Sequence, residues 1–153
     1  MPERQAPKQI KPKSLDDYLE VMSKAVFQSG ISWQVVDKKW PGIHEAFRGF
    51  DTKRVAAMTE DEMDALGQDD RVIRHRGKLD AVAANARRIV ELEREHGSFR
   101  KYLRAHGGFE DTVTAMKRDF KFLGLTGCYF FLYVVGEEVP PHDEFEKAQE
   151  VKA

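Results

Sequence analysis

The 153-residue sequence contains a single cysteine, Cys128, and no long apolar run. One cysteine excludes an internal disulfide framework and a multi-cysteine zinc cage, and it is typical of a protein from a reducing compartment. No segment approaches the roughly 20 apolar residues that a membrane helix needs. The formal net charge of −1 provides no overall attraction to nucleic acid, so any such attraction must come from local clusters. We expect a cytoplasmic protein with no membrane partner.

Apolar residues recur at helical spacing almost throughout the chain, which predicts an all-α fold. We divide the sequence into a flexible basic arm over 1–13, one compact helical domain over 14–142, and a charged, frayed tail over 143–153. The arm lacks the apolar core of a secretory signal. Pro41-Gly42 is expected to break a helical segment over 31–47. The other predicted helix boundaries are Ser14, Ser29-Gly30, a Thr59–Glu62 capping box, His75, Gly97, Ser98, Gly107-Gly108 and Gly136.

The segment Phe120–Cys128 has the pattern of a helix-hairpin-helix: helix, apolar residue, glycine, apolar residue, small residues, helix. Gly124 and Gly127 would shape the turn, so that a DNA phosphate can approach the backbone amides of the next helix, expected from about residue 128. Thr126 would donate a hydroxyl hydrogen bond, and Lys121 would add positive charge. The same spacing occurs in an ordinary αα-hairpin inside a bundle, so the pattern alone leaves both interpretations open.

Basic residues cluster at the predicted start of the long helix: Arg71, Arg74, His75, Arg76 and Lys78. Cations are unfavourable at a helix N-terminus because of the macrodipole, so this cluster favours an anionic ligand such as a DNA phosphate. The alternative is a solvated face balanced by Asp69, Asp70 and Asp80. For His75, the alternative to DNA contact is a helix-capping or salt-bridged role.

Several strings occur in one order along the chain: Gln28–Trp33, Phe47–Asp51 with Val55-Ala56, Ile73–Leu79 with Asn85–Arg87, and Phe120–Gly124 with Cys128-Tyr129. Read together, they resemble the 3-methyladenine DNA glycosylase I family, a branch of the helix-hairpin-helix glycosylases. The most specific piece is Arg-His-Arg-Gly-Lys followed by Asn-Ala-Arg. The resemblance covers about residues 14–142.

This resemblance implies that the protein excises N3-methyladenine from alkylated double-stranded DNA. The alkylated base is cationic and a good leaving group, so the enzyme must mainly flip the nucleotide, stack the base and admit water. By position, Trp33 would be the stacking wall, and Gly30 with Ile31 would fill the gap left by the flipped base. Gln28 and Ser32 are nearby polar candidates for base contact. Without the surrounding motif, Trp33 would be interpreted as a core residue.

Three departures from the family pattern bear on function. Ala25 stands where the family has a glutamate that hydrogen-bonds the excised base. The arm before Ser14 bears no likeness to the family's N-terminal segment, which supplies a second aromatic wall and two zinc ligands. The C-terminal zinc ligands are reduced to His142 at most, and a structural zinc needs four ligands, so we predict no metal and no cofactor.

Catalytic residues remain unassigned. In the broader superfamily a catalytic aspartate often lies where this chain has Pro140. A nucleophilic lysine, which strand-cutting members carry, is missing from residues 126–128, so we expect a monofunctional enzyme, and we expect a monomer. Cys128 is interpreted as a packing residue at the head of an apolar helix.

The alternative hypothesis is a non-catalytic DNA-binding module that kept the glycosylase fold. Ala25 favours the module, whereas Trp33 and the Gly30-Ile31 loop favour the enzyme, because a plain DNA-binding module needs no base pocket. A protein-interaction bundle is disfavoured by the basic helix start and the hairpin.

Overall fold

The computed structural model describes the backbone of residues 6–152 and the side chains of residues 6–149. Every regular element in this range is helical and none is a β-strand, which confirms the all-α prediction. No described helix is both long enough and apolar enough to span a membrane. The elements are α1 (Leu15–Gln28), α2 (Trp33–Ala46), a 3₁₀ turn (Arg48–Phe50), α3 (Thr52–Ala56), α4 (Glu60–Leu66), α5 (Arg76–His96), α6 (Phe99–Leu103), α7 (Phe109–Asp119), α8 (Leu125–Val134) and α9 (His142–Lys152).

The long helix α5 is central in the domain and packs against α1, α3 and α6. The apolar residues at helical spacing along α5 are buried except at Val90, which is half-buried; the buried ones are Leu79, Val82, Ala83, Ala86 and Ile89. Gly97 ends the helix with a φ of 88°, a left-handed conformation that glycine adopts without strain. Helix α8 also packs against α1, so α1 contacts both the central helix and the apolar helix α8.

Local capping signals in the sequence predict several helix starts correctly. Thr59 and Glu62 form the expected capping box at α4, each side chain bonding the other's backbone N–H. Ser98 accepts a hydrogen bond from the backbone N–H of Lys101 at the start of α6. Ser14 precedes α1 as predicted, but its hydroxyl makes no capping hydrogen bond.

Pro41-Gly42 lies inside α2, so the prediction that this pair breaks the helix is wrong. Packing on both sides of the proline outweighs the one backbone hydrogen bond that it removes. Trp40 stacks on Phe50 with ring centroids 5.3 Å apart, and Ile43 is fully buried. Gly42 lets α2 approach the backbone of Arg71 closely, because a Cβ on Gly42 would lie 2.8 Å from the carbonyl oxygen of Arg71.

Both ends of the described chain contact the domain. Residues 1–5 of the predicted arm lie outside the described residues. The backbone N–H of Ile10 donates to the Val134 carbonyl at 2.8 Å. In α9, Phe145 stacks on Tyr129 with ring centroids 3.8 Å apart. This aromatic residue gives the charged tail an apolar contact that composition alone did not predict.

A buried carboxylate ties α7 to α5 and α6. The side chain of Asp119, 5% exposed, accepts hydrogen bonds from the Tyr102 hydroxyl at 2.7 Å and from Arg88 and Arg118 at 3.1 Å. Burial raises the pKa of this carboxyl, but the three hydrogen bonds outweigh burial and hold the pKa below its ordinary value.

Cys128 is a free, fully buried thiol in the first half of α8. Burial raises the pKa of the thiol to about 12. A thiol that stays protonated is a poor nucleophile, which agrees with its interpretation as a packing residue.

Candidate nucleic-acid interface

Three segments that the sequence singled out meet in the structure: Gln28–Trp33, Arg74–Lys78 and Lys121–Gly127. We call them together the candidate interface. The first two are joined by Lys78, whose ammonium reaches the end of α1. The last two are joined by His75 and Phe122, whose rings meet edge to face at 5.8 Å between centroids. The fold therefore gathers three motifs that are distant in sequence.

The loop between α1 and α2 presents an exposed tryptophan. Gly30 has a φ of 78°, and a Cβ built on it would meet nothing within 4 Å, so the chain turns there into open space. Gln28 and Ile31 are half-buried, and Ser32 is exposed. Trp33 begins α2 with 46% of its surface exposed, which contradicts the alternative of a core residue.

Lys78 lies in the interior, so the prediction that it contacts DNA is wrong. It is 4% exposed, and its ammonium donates to the Phe27 carbonyl at 3.3 Å and to the Ser29 carbonyl. Burial lowers the pKa of this ammonium. The carbonyls at the end of α1 lack helical partners and carry the negative end of the helix dipole, so a cation there is favourable. Lys78 thus anchors the loop to the start of α5.

His75 caps α5, as its structural alternative predicted. Its Nδ1 accepts a hydrogen bond from the backbone N–H of Lys78 at 3.2 Å. Arg74 is exposed beside it and makes one long ion pair, 3.8 Å, with the exposed Asp70. Arg74 is therefore placed to exchange that carboxylate for a phosphate.

Arg76 is paired with carboxylates of the protein itself. Its guanidinium contacts the carboxylates of Asp64 at 2.6 Å and of Glu60 and Asp80 at 2.9 Å. The hydrogen bonds that the guanidinium donates to Asp80, the largest contributor, and to Asp64 raise the pKa of Arg76. The structure therefore favours the balanced charged face for this residue over the predicted DNA contact.

Helix α8 begins at Leu125, about three residues earlier than expected, which places Thr126 and Gly127 in its first turn. Gly124 precedes the helix with no side-chain cap, and a Cβ there would meet nothing within 4 Å. Gly124 and Thr126 are both exposed. The positive end of this helix dipole is therefore open to an anion.

Gly127 has a packing role that the sequence did not predict. A Cβ on it would lie 3.3 Å from Leu123 Cδ2 and 3.9 Å from the Cβ of Ala25. The first distance is tight and the second is an ordinary contact, so the absence of a side chain makes room for Leu123 beside the first turn of α8. Ala25 itself is 4% exposed, so the position of the family's base-recognising glutamate is a small apolar residue facing this helix start.

Asn85 holds the turn before α8, a role that sequence reasoning missed. It is 2% exposed in α5; its side-chain amide donates to the Lys121 carbonyl at 3.2 Å and accepts from the Lys121 N–H at 2.8 Å. Its position among the apolar residues of α5 was the available signal, since a buried amide needs hydrogen-bond partners.

Phe122 is the second exposed aromatic residue of the candidate interface, also missed by sequence reasoning. Its ring is 45% exposed, and its backbone adopts a φ of 58°. Lys121 beside it is exposed as well.

Two surface clefts lie away from the tryptophan. One, of about 210 Å³, is lined by residues of α4 and α5 together with Lys121, and the other, of about 260 Å³, lies between α7, α8 and α9. Neither is lined by Trp33 or Ala25.

The described residues do not offer a zinc site of the kind that the family resemblance implies. No group of three or more His, Cys, Asp or Glu residues within the described range is arranged to hold a metal ion. His142 instead pairs with Glu146 at 3.4 Å and lies against the rings of Tyr129 and Tyr133.

Comparison with known proteins gives one consistent result. The family model described as methyladenine glycosylase matches residues 11–117. DNA-3-methyladenine glycosylase 1 of Escherichia coli (strain K12) is 33% identical over 130 residues, which cover 71% of this chain and 70% of that protein. DNA-3-methyladenine glycosylase of Haemophilus influenzae is 32% identical with the same coverage of both chains.

Solved structures agree with these sequence relatives. A crystal structure of 3-methyladenine DNA glycosylase I superposes with a TM-score of 0.72 at 30% identity, covering 83% of this chain and 81% of that chain. The Staphylococcus aureus enzyme superposes with a TM-score of 0.74 at 26% identity, covering 84% and 80%. The chain therefore belongs to the methyladenine glycosylase family.

Proposed function

We propose that this protein is a monofunctional DNA glycosylase that excises N3-methyladenine from alkylated double-stranded DNA. The observation that carries the proposal is the exposed Trp33 on an anchored loop in a member of this family. A relative of the same fold, with a TM-score of 0.74, was solved in complex with 3-methyladenine. The proposal includes a monomer and a cytoplasmic location, the latter supported by the single free cysteine.

The proposed chemistry asks little of the protein at the reacting bond. N3-methyladenine in DNA is cationic, so the base leaves with the electron pair of the C1′–N9 bond as a neutral molecule. The oxygen of a water molecule bonds to C1′ and releases its proton to solvent. Stacking the cationic base on the indole of Trp33 contributes about 0.5 to 2 kcal/mol. The Gly30-Ile31 loop would occupy the space that the flipped base leaves.

The turn before α8 would fix the duplex without reading its sequence. We assign this turn to the helix-hairpin-helix class, with a DNA phosphate at the open start of α8 near Gly124 and Thr126. Arg74 and Lys121 are exposed on the same interface and would neutralise neighbouring phosphates. Because the net charge of the chain is −1, this local arrangement must supply the attraction.

A second candidate function is a DNA-binding module without excision. Ala25 favours it, because a buried methyl group provides neither a hydrogen bond nor a charge to the base. The two candidates share the DNA interface and differ only in whether the glycosidic bond is cut.

The test measures release of methylated bases from alkylated duplex DNA by the parent protein and by Trp33→Ala, Ala25→Glu and Val35→Ala. Val35 is a matched control, since it lies on the same helix and is 46% exposed, like Trp33. We expect the parent and Val35→Ala to release N3-methyladenine, and Trp33→Ala to release none while it stays folded and binds duplex DNA.

Other outcomes separate the candidates. Duplex binding by the parent without any release would contradict the glycosylase and support the module. Release that appears only in Ala25→Glu would identify the missing carboxylate as the reason. Equal release of N3-methyladenine by Trp33→Ala and the parent would show that Trp33 does not contribute to the base site.

A further inference from the structure

Phe122 combines two unfavourable features, and its edge-to-face contact with His75 leaves nearly half of the residue exposed. Its ring is 45% exposed, and its backbone is left-handed with a φ of 58°. That conformation is strained for a residue with a Cβ, whereas glycine adopts it freely. Strain of this kind persists where the surrounding structure imposes it and is concentrated at functional sites.

The other described non-glycine residues with positive φ, Arg48 and Phe50, have structural explanations. Arg48 makes an ion pair with Glu62. Phe50 is fully buried and stacks on Trp40. In each case a side-chain contact inside the protein compensates for the strain in the backbone.

The backbone around Phe122 is held so that its ring points outward. Phe120 and Leu123 on either side are buried, at 4% and 5% exposure. Lys121 is fixed through both backbone groups by Asn85. The two buried residues hold the ends of this turn and Asn85 holds the backbone of Lys121, so the side chains of Lys121 and Phe122 between them face solvent. If the turn alone mattered, glycine would be the better residue at this position.

The surroundings of the exposed ring fit nucleic acid. Its edge-to-face neighbour is His75, and Arg74 and Lys121 are exposed in the same segments. The open start of α8 follows within three residues. An apolar ring bordered by cations and free amides matches a DNA strand, which offers phosphates beside the apolar faces of sugars and bases.

We propose that Phe122 is a DNA-contacting residue, whose ring packs on the sugar and base beside the phosphate bound at the start of α8. This inference rests on the proposed function only in taking duplex DNA as the ligand. The contact would hold the strand against the hairpin, and it does not require base excision.

The test uses Phe122→Gly and Phe122→Leu in the full chain, with Val35→Ala as the exposed apolar control. Each protein is unfolded in urea, and each is titrated with a fluorescently labelled undamaged duplex over a series of salt concentrations. We expect Phe122→Gly to unfold at the same or a higher urea concentration than the parent, because the left-handed strain is relieved. Its duplex affinity should fall roughly tenfold, with Phe122→Leu between it and the parent.

The salt dependence distinguishes the ring contact from damage to the phosphate site. Loss of an apolar contact leaves the slope of log K against log salt unchanged, whereas loss of a phosphate contact makes it shallower. An unchanged affinity, a shallower slope, or a parallel loss of stability in Phe122→Gly would each overturn the proposal. A parent that does not bind duplex DNA would overturn it as well. Failure of the glycosylase proposal shows itself separately, as absent base release by a parent that still binds DNA.

Discussion

Replacing Asn85 tests whether the turn before α8 is positioned by a single buried amide. In Asn85→Ala, the N–H and the carbonyl of Lys121 both lose their partner, at hydrogen-bond lengths of 2.8 and 3.2 Å. Each hydrogen bond contributes about 0.5 to 1.5 kcal/mol net to stability, so we expect a loss of roughly 1 to 3 kcal/mol in the free energy of unfolding. Urea unfolding measures this loss directly.

The effect should be local as well as global. The Lys121 amide is protected from hydrogen exchange by the Asn85 side chain in the parent, and it should exchange much faster in Asn85→Ala. Duplex affinity should fall because the turn is no longer held in the conformation that presents Gly124 and Phe122. These two measurements separate loss of the clamp from a general loosening of the core.

Asn85→Asp is the matched control, since it keeps the shape and the acceptor for the Lys121 N–H. It replaces the amide donor by a carboxylate oxygen that faces the Lys121 carbonyl. Burial and that contact disfavour the charged form, so the pKa of the new carboxyl should be raised in the folded state. Such a group stabilises the fold when protonated and loses that contribution as pH rises, so this variant should approach the parent as pH falls. A stability change below about 0.5 kcal/mol in Asn85→Ala would refute the reasoning, since one unmade hydrogen bond already costs that much.

Three further predictions concern the packing of the fold and the charges within it. Gly42→Ala should lower stability by about 1 to 3 kcal/mol in thermal unfolding, because its Cβ would press on the Arg71 carbonyl at 2.8 Å; an unchanged midpoint would contradict that contact. Because the pKa of Asp119 is lowered, its contribution to stability is present above the ordinary carboxyl pKa and is lost as pH falls through the lower folded-state value. Unfolding free energies measured from about pH 5 to about pH 2 should therefore fall more steeply for the parent than for Asp119→Asn, and parallel curves would refute the assignment. Cys128 should react with a thiol reagent at neutral pH only after unfolding in urea, and rapid labelling of the folded protein would show that the thiol is neither buried nor protonated.

The sequence predicts helix ends correctly where those ends depend only on neighbouring residues. The capping box at Thr59 and the stop at Gly97 depend only on neighbouring residues, and both are found as predicted. Pro41 misled the prediction because its local cost is outweighed by contacts with residues distant in sequence. The start of α8 was misplaced because Gly127 was interpreted as a turn residue, whereas it lies in the first turn of the helix.

The sequence identified the segments that form the candidate site, but it did not predict which of their side chains are exposed. The sequence grouped Arg76 and Lys78 with the DNA contacts because both are basic and lie at a helix start. In the structure Arg76 is paired with three carboxylates, and Lys78 is buried beneath the loop that follows α1. The spacing of residues along a sequence does not distinguish these two environments from an exposed basic side chain. Asn85 and Phe122 were missed because their roles depend on what faces them across the fold.

The Lys78 anchor has a consequence for how this fold can change its substrate. Lys78 recognises main-chain carbonyls 49 and 51 positions earlier in the chain. Every amino acid has a carbonyl, so the side chains of the loop can be exchanged without loss of the anchor. Under the proposed function, selection for a different damaged base can therefore act on the loop residues one at a time, while the loop keeps its place in the fold. The residue that positions the loop is thus different from the residues that would contact the base.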